Sequence, residues 1–243
     1  MLAPSRDRVP GLVLCFAVCV SNQALAQNDG TASSQAPIEA GHEPSPGIVF
    51  AAGLGLGFGL GHFYSTPSDP LASHLPTWLD STVAGSVSRQ FPFSLGVAYR
   101  PAPLLSFGLN TEIARVSAAR CSSNCNGGAL ALGAEVRFHF RTGRLLSPWM
   151  ALGFGYELLH FDNDQGSATL DGYGIDLREG LDIRAGRNWT YGPYLALHVG
   201  TYTHVSSYGA FRGASRESTD ISDADRAIHE WVTFGIRGTF TLH

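Results

Sequence analysis

A chain of 243 residues holds one barrel-sized domain or two small globular ones, and length alone does not choose. Its formal charge of −4, with no long basic run, excludes the electrostatic footprint of a nucleic-acid binder. Charged residues reach only 15%, all 16 cations are arginine and 29 positions are glycine, a composition that leaves the decision to patterning.

Residues 1–26 read as a cleavable export signal. Arg6 and Arg8 form the basic start, Val9 to Val20 the apolar core, and Ala24-Leu25-Ala26 the small-x-small cleavage site. The apolar stretch falls short of the roughly 20 residues needed to span a bilayer. Leu14 and Val18 precede Cys15 and Cys19, where a lipoprotein signal carries a small residue, so no lipid attachment is expected. Residues 27–47, with Pro37, Pro44 and Pro46, read as a polar tether without a core of its own.

From Ile48 the texture changes. Ile48, Phe50, Ala52, Leu54, Leu56, Phe58 and Leu60 alternate with Val49, Ala51 and then glycine at 53, 55, 57, 59 and 61. A period of two places every large side chain on one face of a strand. The alternation returns over Leu95–Tyr99, Leu105–Ile113, Leu130–Phe140, Met150–Leu158, Tyr173–Ile183, Leu195–Val199 and Val232–Leu242. Glu179 interrupts the apolar face of its strand, which predicts a bulge or register shift there. The count is eight strands, with ten as the alternative. Short links near 101–103, 142–147 and 187–192 alternate with longer ones over 63–88, 118–128, 162–170 and 207–228.

One face of these strands is Leu, Phe, Ile and Val; the other is glycine, small residues and charge. A soluble barrel of the lipocalin kind would have to crowd the large residues into a narrow interior and show a nearly uncharged surface to water. Turned inside out, the apolar band meets lipid and the polar face fills the lumen. Phe63, Tyr64, Trp149, Phe161, Trp189, Tyr191, Tyr194 and Trp231 lie near strand ends, the place of interfacial aromatic girdles. The reading is therefore all-β: an eight-stranded antiparallel up-and-down transmembrane barrel over 48–243.

In this architecture the chain resembles the small outer-membrane barrel superfamily, the group of the OmpA membrane domain, OmpX and OmpW. The resemblance implies an outer-membrane location with a periplasmic N-terminus. It also implies lipid, lipopolysaccharide and the barrel-assembly machinery as partners. Such barrels usually end on an aromatic residue, whereas this chain ends Leu242-His243.

Eight strands leave a lumen that side chains fill. Parity puts Glu112, Glu135, Glu157, Asp176 and Asp182 inside with Arg137, Arg178, Arg184 and Arg237. Charges of both signs in a dry lumen must pair, so a buried network that plugs the barrel is expected. The glycines of the first strand leave room that Arg237 of the last strand could fill. Function then falls to the loops 63–88 and 207–228, in adhesion or surface protection, with a narrow pore for ions or small apolar solutes as the alternative.

Cys121 and Cys125 remain after signal cleavage and are expected to form a disulfide that stiffens a third loop. No metal or other cofactor is expected: Gly53–Gly61 does not meet G-x-G-x-x-G, and Asp162–Gly166 reads as an Asx-rich turn. His204-Val205-Ser206 resembles the His-x-Ser pair of outer-membrane lipid A deacylases, with Glu217 or Glu230 as the acid. Ser207 stands where that family carries asparagine, and strand parity points His204 and Ser206 into the barrel, away from lipid. A non-enzymatic barrel is the expectation.

Overall fold

The computed structural model describes residues 46–65, 81–119, 125–140, 145–164, 166–209 and 216–243. The expected export signal, nearly all of the tether, and Cys121 of the expected disulfide lie outside these residues.

Alternating sequences become nine strands and one short helix: β1 (Gly47–Gly61), α1 (Val83–Ser86), β2 (Val87–Ala102), β3 (Leu105–Ala118), β4 (Asn126–His139), β5 (Leu146–Asn163), β6 (Gly166–Arg184), β7 (Trp189–Gly209), β8 (Arg216–Asp220) and β9 (His229–Leu242). Each strand from β1 to β7 pairs antiparallel with the next, β7 pairs with β9, and β9 returns to β1 from Ile48↔Leu242 to Gly61↔His229. Eight strands thus close a ring, which removes the open edges that would otherwise template aggregation. The ninth, β8, pairs with the far end of β7, from His204↔Asp220 to Tyr208↔Arg216.

The side-chain parity is inverted relative to a soluble barrel. Ile48, Phe50, Leu54, Phe93, Leu95, Leu109, Leu152, Phe154, Ile175 and Ile236 are all exposed, while Gln90, Arg137, Glu157, Asp182, Thr233 and Arg237 are buried. A strand crosses the hydrocarbon in roughly 9–11 residues. With 18, 19 and 21 residues, β5, β6 and β7 run well beyond that band at one end. We call this the loop end; the opposite, turn end holds the short links after Ala102, His139 and Arg184.

Three expectations are corrected. The link at 162–170 is strand, not loop: Asn163 pairs with Gly166 across a two-residue turn, and the Asn163 side chain accepts a hydrogen bond from Gly166 N at 3.0 Å. An Asx side chain that satisfies the turn backbone lets both strands run on. Glu179 causes no shift; its pairing with Met150 and Leu195 keeps register. The irregularity lies higher, where Asp171↔His204 is followed by Gly172↔Tyr202 and Thr203 is the extra residue. Its Oγ1 donates to Asp171 O at 3.3 Å.

The aromatic residues are the third correction. Trp189 and Tyr191 are exposed at the turn end, Trp189 against Phe240 at 4.8 Å, as a girdle requires. Phe63, Tyr64, Trp149, Phe161, Tyr194 and Trp231 are instead buried inside. The exposed aromatic cluster toward the loop end is Phe154, Tyr156 and Tyr173, with centroids 6.3 and 5.7 Å from Tyr173. A residue near a strand end may belong to either face, and only parity and register say which.

Candidate functional site in and around the lumen

The inward residues form three layers. At the turn end, Trp149 lies between two guanidiniums, Arg137 at 4.6 Å and Arg237 at 4.8 Å from its ring. Asp182 is buried in the same region, and Arg100 lies 3.4 Å from His139. Planar cations stacked on indole fill this end with charge that an aromatic face helps to stabilise.

The middle layer is a ladder of alternating charge. Arg137 pairs with Glu135, Glu135 also meets Arg178 at 3.7 Å, and Arg178 meets Asp176 at 3.6 Å. Asp176 contacts His198 Nδ1 at 3.1 Å, His198 Nε2 lies 2.9 Å from Glu157, and Glu157 lies 2.7 Å from His229 Nε2. Asn110 Nδ2 donates to Glu135 at 3.2 Å. Glu112 lines the same cavity as Arg178, Asp176 and His198. Glu135, Arg137, Glu157, Asp176 and Arg178 are thus brought together as the parity argument expects. Arg184 is not, and among the described residues it joins no ion pair; it closes β6 beside the turn, with its backbone N donating to Leu145 O.

The loop end is apolar. Phe63, Val83, Val116, Leu159, Phe161, Leu170, Tyr202, Val205, Ile221 and Trp231 form one buried cluster. Backbone hydrogen bonds from Phe63 N to Ser81 O and from Ser65 N to Asp225 O, both 2.8 Å, fold the chain after β1 across the opening. Phe63 then packs on Tyr202 and Phe161, at 5.8 and 6.3 Å. Between this plug and the ladder lies a cavity of about 40 Å³, lined in part by Gln90, Glu112, Glu157 and His198. That is room for a few waters at most.

Glycines in β1 and β9 make this filling fit, though not for Arg237. A side chain at Gly55 would meet Thr233 and Tyr194, one at Gly57 would meet Gln90, and one at Gly59 would meet Val83 and Trp231. Arg237 lies over Trp149 instead.

His198 and His229 were not singled out in the sequence, because a count of formal charges passes over neutral imidazole. The signal was available: His198 shares parity with inward Tyr194 and Ala196, and His229 with inward Trp231 and Thr233.

A second polar group sits on the outer surface. The extra residue Thr203 reverses parity, so Val205 is fully buried against Leu170 while His204 and Ser206 turn outward, contrary to the expectation. His204 Nδ1 lies 3.0 Å from Asp220, its cross-strand partner on β8. Ser206 sits in the next outward row, between Thr169 and Ser218, and Thr169 meets His160 at 2.8 Å. The acid beside His204 is Asp220; Glu217 pairs opposite Ser207 and Glu230 opposite Val199.

No family model matches the chain, and no curated protein matches it in sequence. Solved structures do match. The outer membrane protein OprG from Pseudomonas aeruginosa aligns at TM-score 0.51 and 12% identity, covering 84% of this chain and 99% of that one. A major outer membrane protein from Thermus thermophilus aligns at TM-score 0.49 and 13% identity, over 80% of this chain and 99% of that one. Neisserial surface protein A aligns at TM-score 0.41 and 12% identity, over 77% and 95%. At such low identity the likeness concerns architecture alone: the chain has the closed antiparallel fold of the small outer-membrane β-barrels.

Proposed function

We propose that this protein is an exported barrel of a Gram-negative outer membrane, with its N-terminus periplasmic, its lumen closed, and its work done at the loop end. The observation that carries the reading is the filling of the lumen by three successive layers, an arginine–tryptophan stack, a charge ladder and an apolar plug. A water path through a narrow barrel needs continuous polar space, and a cavity of about 40 Å³ beneath an apolar plug interrupts it. The outward apolar band supports lipid and lipopolysaccharide as surroundings, and folding into them would call on the barrel-assembly machinery.

The loops 63–88 and 207–228 are the proposed contact surfaces for adhesion or protection, and a Cys121–Cys125 bridge would stiffen a third. The roots of the two large loops are committed inward, since Phe63, Val83 and Ile221 belong to the plug. Reconstituted in planar bilayers, the protein is expected to give no discrete conductance steps. Reproducible steps from the wild-type chain would return the reading to a narrow pore.

One observation favours a second reading, ester hydrolysis at the lipid surface. The Thr203 bulge carries His204 and Ser206 to the outer face, with Asp220 in the position of a histidine-orienting acid. Tyr156 and Tyr173 lie near this row, where the barrel leaves the hydrocarbon, so an acyl ester in the outer leaflet would be within reach. Under this reading, incubation with lipopolysaccharide releases free fatty acid, and Ser206→Ala and His204→Ala each abolish the release. Absence of release from the wild type, or release unchanged in Ser206→Ala, leaves the non-enzymatic barrel as the function.

A further inference from the structure

Three side chains converge where β5, β7 and β9 face one another across the lumen. Glu157, His198 and His229 each aim one donor atom at a common point, and these atoms lie within 4.8 Å of one another. We propose that they form a binding site for one divalent first-row transition-metal ion of zinc-like preference, set inside the barrel wall.

Four features carry this. The first is unmet bonding capacity. Glu157 Oε1, His198 Nε2 and His229 Nε2 are close, at 2.7 to 2.9 Å, yet the contacts are not aligned as hydrogen bonds, and each atom is buried without such a partner. His229 is wholly buried, at 0% exposure. Buried polar atoms left unpaired cost on the order of 1–3 kcal/mol each, so three of them pointing together need an account. A cation at the shared point satisfies all three at once; a proton between two of them leaves the third unmet.

The second feature is orientation. His198 presents Nε2 to the centre because its Nδ1 is held by Asp176 at 3.1 Å. A carboxylate that takes the far N–H of a histidine is the usual support of a metal ligand, fixing tautomer and ring direction. The ring of His229 is fixed differently, stacked on Tyr202 at 4.1 Å with a 10° interplanar angle.

The third is space. A side chain on Gly200 would run into Glu157, His229 and His198, and one on Gly174 would run into His198. Glycine at these two positions clears the point where the donors meet. The fourth is the small cavity beside Glu157 and His198, large enough for a water as a further ligand.

The donor set selects the ion. Two imidazoles and one carboxylate suit zinc and its first-row neighbours, whereas calcium and magnesium ask for more oxygens. Zinc bonds of roughly 2.0–2.2 Å would set the donors about 3.3 Å apart, a small opening of the present cluster. Such an ion would tie three strands together across the lumen. Because the lumen is closed at both ends, the ion would enter while the barrel forms.

The test refolds the full chain with one equivalent of Co²⁺ or Zn²⁺, then removes unbound metal. The folded wild type is expected to hold about one ion per chain, with a visible Co²⁺ absorption of low-symmetry coordination. Glu157→Gln and His198→Gln are expected to lose that absorption, while His204→Ala and His62→Ala keep it. Asp176→Asn is expected to weaken binding roughly 10- to 100-fold without changing the stoichiometry at saturation. A folded wild type without bound cobalt, or one whose absorption survives Glu157→Gln and His198→Gln, overturns the proposal. Should either variant fail to fold, the wild type alone decides: metal present during refolding must raise its thermal midpoint, and no rise rejects the site.

Discussion

Replacing Glu135 by alanine is expected to lower the unfolding free energy in lipid by about 3–5 kcal/mol, among the largest losses available to a single substitution in this chain. Glu135 stands at the centre of the ladder, paired with Arg137, 3.7 Å from Arg178 and accepting from Asn110 at 3.2 Å. Its removal strands a buried guanidinium. Arg137 is 5% exposed and keeps only its stack on Trp149, while Arg178 retains Asp176 at 3.6 Å. The cost is chiefly that of a cation left without its counter-charge, not the net worth of the pair. The double variant Glu135→Leu with Arg137→Met removes both charges and is expected to recover much of the loss. Urea titrations in phospholipid vesicles measure both. A Glu135→Ala loss below about 1 kcal/mol, the size of an exposed ion pair, would show that the ladder is wet.

Replacing Leu54 by arginine is the second large expected effect, about 2–4 kcal/mol of destabilisation in a bilayer. Leu54 is 66% exposed, among the least covered apolar side chains, and sits between Phe93 and Ile236 midway along β1. On a water-soluble barrel such a substitution would be nearly neutral, within roughly 0.5 kcal/mol. In the inverted barrel the same position faces hydrocarbon, where a guanidinium must be dragged from water. The sign of the experiment therefore reports which solvent the outer face meets. A near-zero change in lipid vesicles would remove the outward face from the membrane and with it the proposed location.

Much of this was legible in the residues taken one after another. Side chains on a strand alternate because of backbone geometry, so the run from Ile48 to Gly61 declares its two faces before any partner is known. The same rule placed Glu135, Arg137, Glu157, Asp176 and Arg178 inside together, and charges of both signs in a dry lumen then had to pair. Strand number, inverted polarity and a filled lumen follow from local geometry and the cost of burying charge.

What escaped that reading depends on register across the ring. The extra residue at Thr203 reverses the parity of everything after it, so His204 and Ser206 face outward although simple alternation points them in. Phe63 and Trp231 look like girdle residues by position, yet the fold of the chain over the loop end buries them in a plug. His229 gains its meaning from Glu157 and His198 on strands far away in sequence, brought within 4.8 Å only when the barrel closes. The sequence by itself determined an eight-stranded, inside-out barrel, because alternation and burial cost are properties of single strands. The tertiary structure decided which side chains meet at a point, because a bulge and a ring closure act between strands that no local pattern joins.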